Sequence, residues 1–207
     1  MNNIDKLNPI YRCHDILDEK ILTTIKKVKR DLFIPEKYKC FSYTDLSIPL
    51  GSGEFMLTPS SEGKIMQAMD FNINDNVLIV GTGSGYLTEC ISHLTNTVSS
   101  YEIDLELFNY GEKNLDSYSQ HRYKINLNHQ SILDCLNQLS NYSKVLFTCS
   151  IDSYKLFIDY LGQNTKSFFF INQYKSPYKT GIMISKARNG YRVNKNIVTS
   201  QTNPIRE

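Results

Sequence analysis

The chain has 207 residues, 41% of them hydrophobic and 21% charged, enough for one well-buried core and therefore for a single domain over residues 1–207. Its formal net charge is only +2, and its lysines are scattered apart from Lys26-Lys27 and Lys29-Arg30, read as a solvated helix face, so neither nucleic acid nor a membrane is an expected partner. Five cysteines, Cys13, Cys40, Cys90, Cys135 and Cys149, an odd number with no close pair, argue against a disulfide framework and a thiolate metal site and fit the cytoplasm.

The first residues lack a basic region followed by an apolar run, and no apolar stretch reaches the roughly 18 residues of a membrane helix, so no signal peptide or span is expected. Residues 1–15 show no clear period. Their end, Cys13-His14-Asp15, reads as a surface turn, because adjacent side chains seldom converge on one metal ion. Asp18 is a predicted N-cap, followed by Ile21, Leu22, Ile25, Val28 and Leu32 at helical spacing up to Pro35. Residues 36–53 read as loop, with Pro49, Gly51 and Gly53 as breakers. Thr58 as N-cap and Pro59 at the first helical position open a second helix, with Ile65, Met66 and Met69 on its apolar face.

From Val77 the pattern alternates between strand and helix. Strands are predicted at Val77 to Val80, Thr97 to Tyr101, near Tyr123 to Leu127, at Lys144 to Cys149 and at Ser167 to Ile171. Helices are predicted around Leu87 to Leu94, Leu105 to Leu115, Ile132 to Leu139 and Tyr154 to Leu161. Repeated βα units imply a mainly parallel sheet covered on both faces. Gly181 to Lys186 and Arg192 to Thr199, separated by Arg188-Asn189-Gly190, read as a terminal hairpin that adds antiparallel strands.

The chemistry gathers at Val77-Leu78-Ile79-Val80-Gly81-Thr82-Gly83-Ser84-Gly85-Tyr86, a buried strand running into a glycine-rich turn and a helix. Such a turn lets a ligand approach the backbone closely. Tyr86 stands where a dinucleotide fingerprint needs its third glycine, and no Gly-Lys-Ser/Thr follows, which excludes a P-loop. Glu102 follows the next strand. At the carboxyl edge of a parallel sheet the two loops are neighbours, which sets Glu102 to accept from both ribose hydroxyls of an adenosine without a pyrophosphate, as in S-adenosylmethionine.

This stretch resembles the first motif of the protein-L-isoaspartate O-methyltransferases, S-adenosylmethionine-dependent enzymes with a Rossmann-like sheet. Val28-Lys29-Arg30-Asp31-Leu32-Phe33-Ile34-Pro35 is similar to that family's V-P-R-E-x-F-V-P, and Tyr43-Thr44-Asp45-Leu46-Ser47-Ile48-Pro49-Leu50-Gly51-Ser52-Gly53 to its Y-x-D-x-x-L-P-I-G-x-G. The three motifs cover about residues 18–115. The resemblance implies an α/β Rossmann-like class I methyltransferase, with a helical, substrate-side appendage over 1–70 and a core over 71–207. It implies that Gly81, Thr82, Gly83, Ser84, Gly85 and Tyr86 wrap the methionine and ribose portions of the cofactor while Glu102 holds the ribose. It also implies a protein or peptide substrate carrying isoaspartyl residues.

The chain departs from the family in three places. Ile79 replaces an acidic residue usual in the motif strand. At His129-Gln130-Ser131 the family has Gly-Asp, whose carboxylate contacts the adenine; Gln130 or Ser131 can still hydrogen-bond the base without the charge, and His129 reads as a loop histidine rather than a catalytic base. The family segment G-Q-T-I-S-Q-P places a serine hydroxyl against the substrate carboxylate, whereas this chain reads Gly53-Glu54-Phe55-Met56-Leu57-Thr58-Pro59. Leu57 occupies the serine position and donates nothing. Thr58 is the candidate catalytic substitute, though its N-cap role explains it without chemistry, and Glu54 suits a cationic or neutral acceptor better than a carboxylate. A carboxylate acceptor is ionised at pH 7, so the family's chemistry needs alignment rather than a general base. Methylation of isoaspartyl groups, methylation of another acceptor, and cofactor binding without turnover all stay open on this reading.

Overall fold

The computed structural model describes residues 7–172, 179–187, 190–194, 197 and 199–200. Helices α1 (Leu7–Cys13) and α2 (Glu19–Lys27) precede a small hairpin of β1 (Ile48–Gly51) and β2 (Glu54–Met56), and α3 (Pro59–Met69) leads into the main sheet. There β3 (Asn76–Val80), β4 (Thr97–Glu102), β5 (Ile125–His129), β6 (Lys144–Ile151) and β7 (Ser167–Asn172) run parallel. Between them lie α4 (Tyr86–Ser92), α5 (Leu105–Tyr118) and α6 (Lys155–Ile158). Strands β8 (Lys179–Ala187), β9 (Gly190–Asn194) and β10 (Thr199–Ser200) pair antiparallel at one side. The order is β10-β8-β7-β6-β3-β4-β5, with β9 also on β8, a Rossmann-like arrangement.

The order explains where a ligand fits. β4 and β5 are added on one side of β3, and the chain then returns to place β6 on its other side. Loops leaving β3 and β6 therefore diverge and leave a crevice at the carboxyl ends of the strands.

Alternation along β3 divides the core between the two faces of the sheet. Val77 and Ile79 join Ile25, Phe33, Ile65, Met66 and Ile91 on one face. Leu78 and Val80 join Ile132, Leu139, Phe147, Phe157 and Phe168 on the other. Because both faces are covered, β3 is apolar throughout. Ile79 is thus a core residue turned toward α3, which accounts for its apolar character.

Several elements differ from the sequence expectation. Residues 7–13 form α1, since Leu7 and Tyr11, one helical turn apart, are both buried. Helix α2 ends at Lys27, with Val28 extended, and a separate 3-10 turn spans Arg30–Phe33. The change of direction turns Arg30 inward: it is 1% exposed, whereas Lys26, Lys27 and Lys29 face solvent, so Arg30 is a core residue rather than part of a solvated face. Within 36–53, the supposed loop contains a 3-10 helix (Glu36–Phe41) and β1. The helix predicted at Tyr154 to Leu161 shrinks to α6, and Ile132–Asn141 is 3-10 helix interrupted at Cys135. The terminal hairpin is present as β8 and β9, but β9 spans Gly190–Asn194 and Thr199 pairs with Thr180 as part of β10; Arg188 and Asn189 of the turn, and Lys195, Asn196 and Val198 of the predicted second strand, lie outside the described residues.

Candidate active site

The crevice opens into a cleft of about 940 Å3, counting the part continuous with solvent. One wall is the glycine turn with Val80, and beside it stand Tyr101 and Glu102 from β4, Gln130 and Ser131 after β5, and Thr148 and Cys149 from β6. The opposite wall comes from Leu50, Glu54, Phe55, Met56 and Leu57 of the β1–β2 segment, with Glu62 from the first turns of α3.

The glycine turn is fixed by backbone bonds before any ligand arrives. Gly81 N–H donates to the Tyr101 carbonyl at 2.8 Å, and Gly85 N–H to the Thr82 carbonyl at 3.0 Å. Gly81 has φ +94°, and a Cβ there would lie 2.2 Å from Thr148 Oγ1. That hydroxyl donates to the Val80 and Gly81 carbonyls at 3.0 and 2.9 Å, tying the end of β3 to β6. On the far side α5 can touch the turn because Gly111 has no side chain: a Cβ there would stand 2.8 Å from the Gly83 carbonyl oxygen.

Glu102 is the acidic partner of this turn. Its Oε2 accepts the Gly83 N–H at 3.0 Å, and Oε1 accepts those of Ile103 and Asp104 at 3.0 and 3.2 Å. Burial pushes its carboxyl up, while the N–H groups of Gly83, Asp104 and Ile103 draw it back. A carboxylate offers about four lone-pair directions, and these bonds use three. Capacity for one further donor is left on the oxygen that faces Gly83.

Of the residues singled out in the sequence, Gly81, Thr82, Gly83, Ser84, Glu102, Gln130 and Ser131 line the cleft. Thr82 Oγ1 shares a hydrogen bond with Ser100 at 2.7 Å, and Ser131 caps the following 3-10 helix by accepting from Leu133 N–H at 3.2 Å. Gly85 and Tyr86 stand behind this wall. Tyr86 is 1% exposed, meets the edge of Phe33 and carries the Arg30 guanidinium 5.0 Å from its ring centre. His129 is turned away, against Phe108, with Nε2 3.2 Å from the Ile103 carbonyl. Thr58 is absent from the cleft wall: its Oγ1 accepts from Ser61 N–H at 3.2 Å and caps α3.

Several cleft residues had not been singled out. Thr148 and Cys149 sit at the carboxyl end of β6, where the general rule for α/β sheets would have directed attention. Burial pushes the Cys149 thiol up to about 12, which leaves it un-ionised and unreactive at neutral pH. Glu62 had no local signal; its importance comes from Arg30, thirty-two residues earlier, with which it forms a buried hydrogen-bonded pair. Glu54, which the sequence had already marked, also lines the cleft, within the electrostatic reach of Lys179, a cation far away in sequence that the sequence reading had not connected to it.

The other motif segments serve this geometry. Tyr43 donates to Asp31 at 2.7 Å, and Asp45 accepts both the Ser60 N–H and hydroxyl, at 2.9 and 2.8 Å, anchoring the start of α3 beside the cleft.

The family model for protein-L-isoaspartate(D-aspartate) O-methyltransferase matches residues 4–191. The chain belongs to this family. A protein-L-isoaspartate O-methyltransferase of Petrotoga mobilis is 38% identical over 87 residues, 42% of this chain and 41% of the relative. One from Photobacterium profundum is 38% identical over 93 residues, 45% and 44% of the two chains, so each match spans less than half of the relative's length. Among solved structures, a Plasmodium falciparum protein crystallised as a member of this family, in complex with S-adenosyl-L-homocysteine, aligns with a TM-score of 0.80 over 100% of this chain and 99% of its own, at 17% identity. Another family structure gives 0.78 over 97% and 65%, at 16% identity. At these identities the fold is shared. Among the described residues no helix is long and apolar enough to cross a membrane.

Proposed function

We propose that this chain is an S-adenosylmethionine-dependent O-methyltransferase that methylates isoaspartyl carboxylates of damaged proteins, a protein-repair transferase of the cytoplasm. The carrying observation is the cleft in which the Gly81–Ser84 turn is locked to Glu102 on one side and faced by the β1–β2 wall on the other.

The cleft fits the cofactor by its donor set. Glu102 keeps one acceptor direction for a ribose hydroxyl, and the glycine turn presents a wall of backbone against which the methionine portion would lie. Leu107, Ile103 and Ile132 offer an apolar seat for a purine ring, with Gln130 and Ser131 near its edge. When bound, S-adenosylmethionine supplies an electrophilic methyl group on a sulfonium. The protein's residues then exclude water and hold the acceptor in line. An aspartyl-type carboxyl with a pKa of about 4 is ionised at pH 7 and attacks without a base. Lys179 offsets the repulsion that Glu54 would otherwise exert on such an acceptor. Residues 1–70 would serve the substrate side and 71–207 the cofactor side.

Isothermal titration with S-adenosylhomocysteine should give saturable heat, and none at millimolar ligand would sink the proposal. Methyl transfer to an isoaspartyl peptide but not to its aspartyl isomer is the expected specificity. Leu57 and Glu54 favour one second reading, a methyltransferase with a neutral or cationic acceptor, which turnover of such an acceptor alone would establish.

A further inference from the structure

The acceptor-side wall is apolar at Leu50, Phe55, Met56 and Leu57, yet one buried carboxyl interrupts it. Glu62 is 3% exposed and lines the cleft. Its Oε2 accepts from Arg30 Nη1, while Nη2 of the same guanidinium donates to the Leu57 carbonyl at 2.7 Å. One planar group therefore clamps the Glu62 carboxyl beside the backbone of Leu57, the position from which a polar contact to the acceptor is missing. Among the described residues no hydrogen bond reaches the other oxygen, Oε1, and Oε1 is not sealed from the cleft. A carboxyl oxygen that opens on the cleft without a protein partner is free to bond whatever fills the cleft.

We infer that Glu62 contacts the methyl acceptor, its Oε1 hydroxyl donating a hydrogen bond to one oxygen of the acceptor carboxylate while the other oxygen faces the methyl group. This rests on the isoaspartyl reading above and names the residue that holds the substrate. Burial pushes Glu62 up to about 8 even against Arg30, so at neutral pH the carboxyl is protonated, with Oε2 occupied by Arg30 and the proton on Oε1. The other groups facing it are Asp45, which pushes it further up, and Tyr11, Tyr86 and Cys90, each kept neutral by burial. A neutral donor holds a carboxylate where a second carboxylate would repel it. In the step, the acceptor oxygen provides the electron pair of the new C–O bond, the C–S pair stays on sulfur, and Glu62 keeps its proton. The carboxylate and the sulfonium lose their opposite charges together.

The test is Glu62→Gln, whose amide keeps a donor of the same shape. Expected is a modest fall, about three- to tenfold, in kcat/KM on an isoaspartyl peptide near pH 7, because an amide donates more weakly than a carboxylic acid. Wild-type kcat/KM should fall about tenfold per pH unit above pH 8, and that fall should be absent in Glu62→Gln. Glu62→Ala leaves Arg30 unpaired, so the paired replacement Arg30→Met with Glu62→Leu is the second variant. It should bind S-adenosylhomocysteine like wild type and lose at least about thirtyfold in kcat/KM. A readout independent of turnover is Tm against pH. The folded pKa lies above the ordinary carboxyl value, so this stability is full below about pH 4.5 and is lost as pH rises to about 8, a decline that Glu62→Gln should remove.

A hundredfold loss in Glu62→Gln would overturn the inference and make Glu62 a base for a neutral acceptor. Wild-type kinetics in the double variant would overturn it too. Cofactor binding by wild type without turnover of the isoaspartyl peptide would remove the acceptor and this contact together. Failure of wild type to bind S-adenosylhomocysteine at all would instead strike the cofactor reading.

Discussion

The two walls of the cleft are built in opposite ways. The wall at the glycine turn is backbone: Gly81 N–H on Tyr101, Gly83 N–H on Glu102, and Thr148 on two carbonyls, all at the ends of neighbouring parallel strands. The opposite wall is side chains from a two-stranded hairpin and a helix start, fastened by the buried Arg30–Glu62 pair. Backbone geometry tolerates little change, whereas a side-chain wall can change what it recognises while the fold stays intact. The family resemblance is accordingly kept at the glycine turn and Glu102, and broken where side chains make the contact, at Gln130-Ser131 beside that turn and at Leu57 on the opposite wall.

The sharpest way to break this contrast is Gly81→Val. A Cβ would overlap Thr148 Oγ1, and a β-branched residue at φ +94° is strained whatever the space. Loss of measurable S-adenosylhomocysteine binding, at least about a thousandfold, is expected by titration calorimetry (roughly 4 kcal/mol). Retained affinity would mean that the turn is not the cofactor wall.

The buried pair should respond asymmetrically. Glu62→Ala leaves a guanidinium that cannot lose its proton, at a cost of about 3–5 kcal/mol. Arg30→Met leaves a carboxyl that can simply stay protonated, so its cost should be roughly half as large. Thermal melts at pH 7 rank the two, and the reverse order would show that Glu62 is ionised in the fold.

Glu102→Ala removes the acceptor of three hydrogen bonds at once, one of them from the Gly83 N–H of the turn. The expected loss of S-adenosylhomocysteine affinity is about 10- to 100-fold, with Glu102→Gln milder because one oxygen remains. A larger effect on peptide KM than on cofactor binding would move Glu102 to the other wall.

Thr58→Ala should have the smallest effect. Loss of the α3 cap costs about 1 kcal/mol and lowers Tm by roughly 2–4 °C, with kcat/KM changed less than about threefold. A hundredfold fall in kcat would restore Thr58 as a catalytic hydroxyl.

The same contrast marks what could be read from residue order. Val77 to Val80, the three glycines and Glu102 were legible because strand, turn and acidic residue follow one another and the parallel sheet fixes their neighbourhood. Arg30 was misread because its helix was extended past Lys27; with the 3-10 turn in place it points inward. Thr148 and Glu62 lacked any local pattern, since each matters through a contact with a residue tens of positions away.

By itself the sequence determined the alternating βα order, the N-caps at Asp18 and Thr58, and the glycine turn with its acidic partner, because these follow from periodicity, capping chemistry and the steric freedom of glycine. Only the tertiary structure decided that Tyr86 stands behind the wall rather than in it, that Ile79 belongs to the core, and that a buried arginine holds a carboxyl in the wall opposite the glycine turn. Those are matters of which atoms meet across long separations, and burial there sets whether a charge survives.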